Sequence, residues 1–201
     1  MQTLTQTSGI QLIVGLANPG SEYAHTRHNA GSWFVNNLAD DQNISLRLNP
    51  KFHGLHGIAK IDGRDCHLLI PTTYMNLSGQ AVQAISSYYK IPPQAILVVH
   101  DEIDLPIATV RLKFAGGHGG HNGLRDIANH LSTKDFYRLR VGVGHPGNSD
   151  LVVDYVLSPP KKDERQKIDD ALRDAESILP FIMKGDFQKA MQSLHSEQPR
   201  E

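Results

Sequence analysis

The run AILVVHDEIDLP at residues 95–106 decides the fold. Residues 95–100 are apolar up to Val99, without alternation, and stand between Pro92-Pro93 and a polar turn. Such a run is too short for a core helix. It reads as a strand buried on both faces, the kind found inside parallel sheets. At its carboxyl end come His100 and Asp101. A carboxylate so close to a buried strand costs free energy unless it has a partner.

Working outward, alternation of strand and helix signals continues in both directions. Residues 10–14 read as a second buried strand, and 29–40 as a helix turning Trp33, Phe34 and Leu38 inward. Segments 54–61 and 64–70 flank Asp62-Gly63, a strong two-residue hairpin signal. The spacing predicts a helix over 78–90, with Val82, Ile85 and Tyr89 on one face and Pro92-Pro93 as its stop. Residues 110–114 alternate like a strand, 122–131 read as a helix with Asn122 as N-cap, and 137–143 as another strand. In the last third, Ile168, Leu172, Ala175 and Leu179 recur at helical spacing. Pro180 is expected to kink or end that helix, and a last helix spans 186–194. The pattern predicts a single-domain α/β fold: a twisted, mixed, largely parallel sheet with helices on both faces. The domain is expected over residues 10–195, between polar tails at 1–9 and 196–201.

A chain of 201 residues suits one domain with a full core. Its net charge of −1 announces neither a nucleic acid nor a membrane. Locally the balance differs: between Arg111 and Arg140 stand six basic side chains against two acidic ones. That asymmetry can steer a polyanion to one face. A lone cysteine, Cys66, cannot form an internal disulfide, which points to a reducing compartment. With no apolar run of spanning length and no signal-peptide pattern, a cytoplasmic protein is expected.

Four polar loops break the apolar pattern. They are GLANPGSEYAHTRHNAG (15–31), PTTYMNLSG (71–79), HDEIDLP (100–106) and GGHGGHNG (116–123). Three of them follow the carboxyl ends of predicted strands, where open α/β sheets gather their ligands. His28 and Asp101 are the candidate pair: a carboxylate can fix an imidazole's tautomer and stabilise its charged form. Asn18, Asn76 and Asn122, one from each of three loops, offer donors and acceptors that do not titrate. Tyr74 and Met75 can form an apolar wall beside them. No G-x-S-x-G is present, so a water nucleophile with a histidine base fits better than covalent catalysis. His100, Asp101, Asp104, His118, His121 and His145 are possible metal ligands, but no H-E-x-x-H or Cys/His zinc spacing occurs. The glycine loop also lacks the lysine of a triphosphate-binding P-loop.

These four loops, in this order and together with RLRVGVGHPG at 138–147, resemble the bacterial-type peptidyl-tRNA hydrolases over roughly residues 10–194. The resemblance implies a monomeric, cytoplasmic hydrolase that cleaves the ester between a peptide and the 3′-terminal ribose of tRNA, with no metal or organic cofactor. It implies that His28 is the general base and that Asp101 orients and polarises it. It places Asn18, Asn76 and Met75 around the peptide, with Tyr74 in the wall. His121 and Asn122 close the cleft, and Tyr23 lies near the tRNA end. Arg111, Lys113 and Arg140 are the candidate tRNA contacts, with Arg125 and Arg138 behind them. Two positions depart from the pattern. After His145-Pro146-Gly147 the turn reads NSDL, with Asp150 where relatives often carry lysines, and Tyr74 stands where phenylalanine is common. An RNA-binding module of the same fold would not need His28, Asp101 and Asn18 intact, so the enzyme reading is preferred.

Overall fold

The computed structural model describes residues 8–196. The segments read as tails therefore lie outside the described residues, apart from Ser8, Gly9 and Ser196. Seven strands form one sheet in the order β2-β3-β4-β1-β5-β7-β6. They are β1 (Leu12–Gly15), β2 (Arg47–Asn49), β3 (Gly54–Ile61), β4 (Arg64–Pro71), β5 (Ile96–Glu102), β6 (Val110–Phe114) and β7 (Tyr137–Gly142). The central four, β4-β1-β5-β7, run parallel, and antiparallel strands flank them on each side. The expected mixed, largely parallel sheet is present. At the β3–β4 turn both Asp62 and Gly63 have positive φ, the backbone that a tight hairpin requires.

The helices are α1 (Ala30–Asp41), α2 (Ser78–Tyr89), α3 (Asn122–Leu131), α4 (Val152–Val156), α5 (Lys162–Ala175), α6 (Leu179–Lys184) and α7 (Phe187–Ser196). Alternate residues of β4, β1 and β5 feed two cores, and β7 feeds one of them. Ile13, Leu97 and Leu139 pack with Phe34, Leu38, Ile168 and Leu172 on one face. Val14 and Val98 pack with Val82, Ile85 and Ile127 on the other. Among the described residues, no helix is long and apolar enough to cross a membrane.

Several sequence expectations need correction. Tyr89 does not turn into the core: it is 39 % exposed at the end of α2, its ring 4.0 Å from that of His67. Pro180 does not break a helix, because α5 has already ended at Ala175 and Pro180 sits in the first turn of α6, where a missing N–H costs nothing. The short β2 and α4 were not anticipated.

One close approach sets the site. A Cβ on Gly31 would lie 2.1 Å from the Val99 carbonyl, so only glycine lets the start of α1 rest against β5. The same contact brings the turn Arg27–Asn29 to the carboxyl end of β5, where Asp101 stands.

Far from that end, Glu176 joins α5 to α6. Burial, the Asp41 charge and a hydrogen bond to Asp41 push its carboxyl up to about 7 from 4.5. The folded state therefore favours the neutral acid. That contribution is fully present below pH 4.5, shrinks as pH rises and is gone above about 7. Glu176→Gln, which keeps the neutral shape, is expected to raise Tm at pH 8 and leave it nearly unchanged at pH 4. Thermal unfolding at the two pH values checks this.

Candidate active site

Asp101 is buried at the end of β5 and receives two histidines on a single carboxylate oxygen. His28 Nδ1 stands 2.8 Å and His121 Nε2 2.9 Å from Oδ1. Each ring nitrogen donates to the carboxylate, which fixes both tautomers. For His121 the assignment is supported from the other side of its ring, where Nδ1 accepts the N–H groups of Gly123 and Leu124 at 3.2 and 3.4 Å. His121, and not Asn122, is therefore the N-cap of α3. Asn122 is freed to line the cavity instead.

With Nδ1 of His28 committed to Asp101, Nε2 is the atom left to accept a proton. Burial pulls the His28 pKa down, but the Asp101 charge and hydrogen bond outweigh it and hold the group above the ordinary 6.5. Burial alone would raise the Asp101 pKa. The two histidines reverse this and keep it well below the carboxylate range, so Asp101 is an anion. His100 behaves differently. Enclosed completely, it is driven down to about 3, first by burial and then by His121, and its Nδ1 donates to the Asp101 carbonyl at 2.7 Å.

Around this trio opens a cavity of about 520 Å³. Asn18, Tyr74, Met75, Asn76, His118 and Asn122 line one part of it. The Met75 N–H donates to Asn18 Oδ1 at 2.8 Å, which leaves the Asn18 side-chain nitrogen as the donor for a ligand. Asn29, which the sequence did not single out, clamps Asn18 in place: its Oδ1 accepts from the Asn18 N–H and its Nδ2 donates to the Asn18 carbonyl. Val152, Val153, Val156 and Leu157 of the α4 segment add an apolar wall, also unforeseen.

The glycine loop owes its shape to positive φ at Gly116, Gly119 and Gly120. It is held by Arg138, whose guanidinium donates to the Gly116 and Gly117 carbonyls. Arg138 is buried and so is a brace for the loop, not the exposed cation that the charge count suggested. Of the metal candidates, Asp101 and His121 come together with His28, their ligand atoms within 4.8 Å of one another. Those same atoms are the ones joined by the hydrogen bonds to Asp101. Asp104 and His145 stand outside the cavity lining, and so does Tyr23.

Beyond the glycine loop, β6 and β7 carry the basic excess. Arg111 pairs in register with Arg140, and Lys113 with Arg138, which places all four on one face of the sheet edge. Lys113 is exposed, Arg140 is tied to Glu102 at 3.0 Å, and Arg111 donates to the carbonyls of Val110 and Leu194.

Comparison with known proteins agrees over nearly the whole chain. The family model described as peptidyl-tRNA hydrolase matches residues 12–201. Peptidyl-tRNA hydrolase of Saccharophagus degradans is 57 % identical over 194 residues, covering 96 % of this chain and 98 % of the relative. That of Coxiella burnetii is 53 % identical over 190 residues, 94 % of this chain and 100 % of its own length. The crystal structure of peptidyl-tRNA hydrolase from Acinetobacter baumannii superposes with a TM-score of 0.93 at 49 % identity, covering 96 % of this chain and 98 % of that one.

Proposed function

We propose how the cleft works from one premise: the chain belongs to the peptidyl-tRNA hydrolase family. It is an ester hydrolase that releases tRNA and peptide from peptidyl-tRNA. His28 is the general base. Its Nε2 takes a proton from a water, the hydroxide formed attacks the ester carbonyl, and the imidazolium rests on the Asp101 anion. The same proton then passes to the departing 3′-oxygen of the ribose, which restores the neutral ring. The observation that carries this reading is the buried Asp101 carboxylate, which orients His28 in a cavity lined by three asparagine amides and an apolar wall.

The amides of Asn18, Asn76 and Asn122 suit a substrate whose side chains vary, because they bind main-chain groups and do not titrate. Asn122 holds the water. Met75, Tyr74 and the α4 wall receive the acyl side chain, and His121 fixes the carboxylate from the second side. Tyr23 stands by the tRNA end. No metal or organic cofactor enters this scheme. The enzyme works as a monomer in the cytoplasm, where its substrate is made.

Arg111, Lys113 and Arg140 meet the phosphates on the β6–β7 face. Lys113→Ala is expected to weaken tRNA binding and to flatten the plot of log K against log salt by about 0.9 if one duplex phosphate contact is lost. Turnover at saturation changes little. Arg140→Ala acts in the same direction, and it also leaves the Glu102 carboxylate without its partner. Binding isotherms at several salt concentrations check both. An unchanged slope in both variants would place the tRNA elsewhere. The activity itself is tested by hydrolysis of an N-blocked aminoacyl-tRNA. Tight tRNA binding with no cleavage by the well-folded protein would point instead to an RNA-binding role.

A further inference from the structure

Arg27 precedes the proposed base and is itself buried, although it is a charged residue. Its side chain is not part of the cavity lining and ends against the carboxyl end of α4. One terminal nitrogen lies 2.9 Å from Ser158 Oγ, 3.0 Å from the Pro159 carbonyl, and 3.2 and 3.3 Å from the carbonyls of Ser158 and Tyr155. The other donates to Glu164 at 3.1 Å. The guanidinium also lies 4.0 Å over the Tyr155 ring. Along the backbone, the Arg27 N–H donates to the Ser158 carbonyl at 3.1 Å.

The reason for this concentration of acceptors is local. Five residues make too short a helix to hold itself. Its last carbonyls need donors, and the Pro159-Pro160 pair that follows has no N–H to give. Arg27 supplies donors from across the chain to one α4 carbonyl, that of Tyr155, and to those of Ser158 and Pro159 just after it. The second tie is the Tyr155 hydroxyl, which donates to the Val143 carbonyl at 2.7 Å. What Arg27 holds is the apolar side of the cavity, since Val152, Val153, Val156 and Leu157 all line it.

We infer that Arg27 is a positioning residue for this wall, and that selection among acyl groups by size and apolarity runs through it. The inference rests on the reading of the cleft as the peptide site. Lysine cannot replace arginine here, because one ammonium on a flexible stem matches neither the fork of acceptors nor the stacked ring.

The test compares N-acetyl-phenylalanyl and N-acetyl-glycyl esters on one tRNA body. Arg27→Lys is expected to raise KM about tenfold for the phenylalanyl ester, the scale of lost apolar complementarity, and less than about threefold for the glycyl ester. In neither case should kcat or its pH profile move, because the His28–Asp101 bond does not pass through the guanidinium. Ser158→Ala, a milder cut at the same junction, is expected to act in the same direction with a smaller effect. It also serves if Arg27→Lys fails to fold. Equal losses on both esters, or none on either, would overturn the inference. Hydrogen exchange over residues 152–157 reads the tie without turnover. Faster exchange in Arg27→Lys or Ser158→Ala is expected, and unchanged exchange in both overturns the proposal. Failure of the wild type to cleave either ester would sink the reading of the cleft, and the exchange result would still judge the role of Arg27.

Discussion

His28→Ala is expected to lower kcat by about 10²- to 10⁴-fold, the range that a positioned general base contributes. The residual rate comes from binding and from the amide donors that survive. Folding and tRNA affinity should be nearly unchanged, because the His28 side chain lies in the cavity and its hydrogen bond is to Asp101, which keeps His121 as a partner. Adding a chelator to the wild type should leave its rate alone. A resident metal held by His28, Asp101 and His121 would also be lost on mutation of His28, so the two treatments must be read together. Loss of activity on chelation would replace the histidine-base account with a metal-activated water. Retention of most activity by His28→Ala would remove His28 from the chemistry altogether.

Asp101→Asn should be the second largest effect, and a smaller one. Both hydrogen bonds from the histidines converge on Oδ1, so an asparagine whose carbonyl oxygen takes that place keeps both tautomers. What it loses is the negative charge that stabilises the imidazolium. A hydrogen bond to a charged group is worth about 1.5–3 kcal/mol, so a loss of roughly ten- to a hundredfold in kcat is expected. A loss as deep as that of His28→Ala would mean that the asparagine had turned its nitrogen to the histidines and spoiled the tautomer. Steady-state kinetics on the two variants side by side distinguishes the cases.

What the sequence revealed depended on how local each signal was. The apolar run of β5 and the Asp62-Gly63 turn carry their own instructions, and both elements stand where the pattern put them. The pairing of His28 with Asp101 was legible because Asp101 ends an apolar strand and His28 stands at the end of a polar loop, just before a helix. That His121 joins them was not, since it needs the glycine loop to fold back over β5, and a backbone with several positive φ values gives no periodicity to read. The cap of α3 shows the same limit. Asparagine is the better N-cap by intrinsic preference, yet His121 takes the position because Asp101 already holds its other nitrogen. Arg138 counted as a surface cation in the sequence because charge alone carries no direction. In the fold its strand turns it toward two glycine carbonyls. The α4 wall was hidden for a plainer reason: five residues between a turn and two prolines are too few to show a helical period.

The most direct test of the central claim is the pH dependence of kcat for blocked aminoacyl-tRNA hydrolysis in the wild type and in Asp101→Asn. The base works only when unprotonated, so the rate should fall as pH drops through the His28 pKa. The Asp101 carboxylate holds that pKa above 6.5, and the wild-type acid limb is therefore expected above 6.5. Removing the charge leaves burial as the dominant influence, so in Asp101→Asn the limb should move to lower pH even as the plateau falls. A limb that stays in place while the plateau drops, or a rate without an acid limb, would contradict a His28 base poised by Asp101.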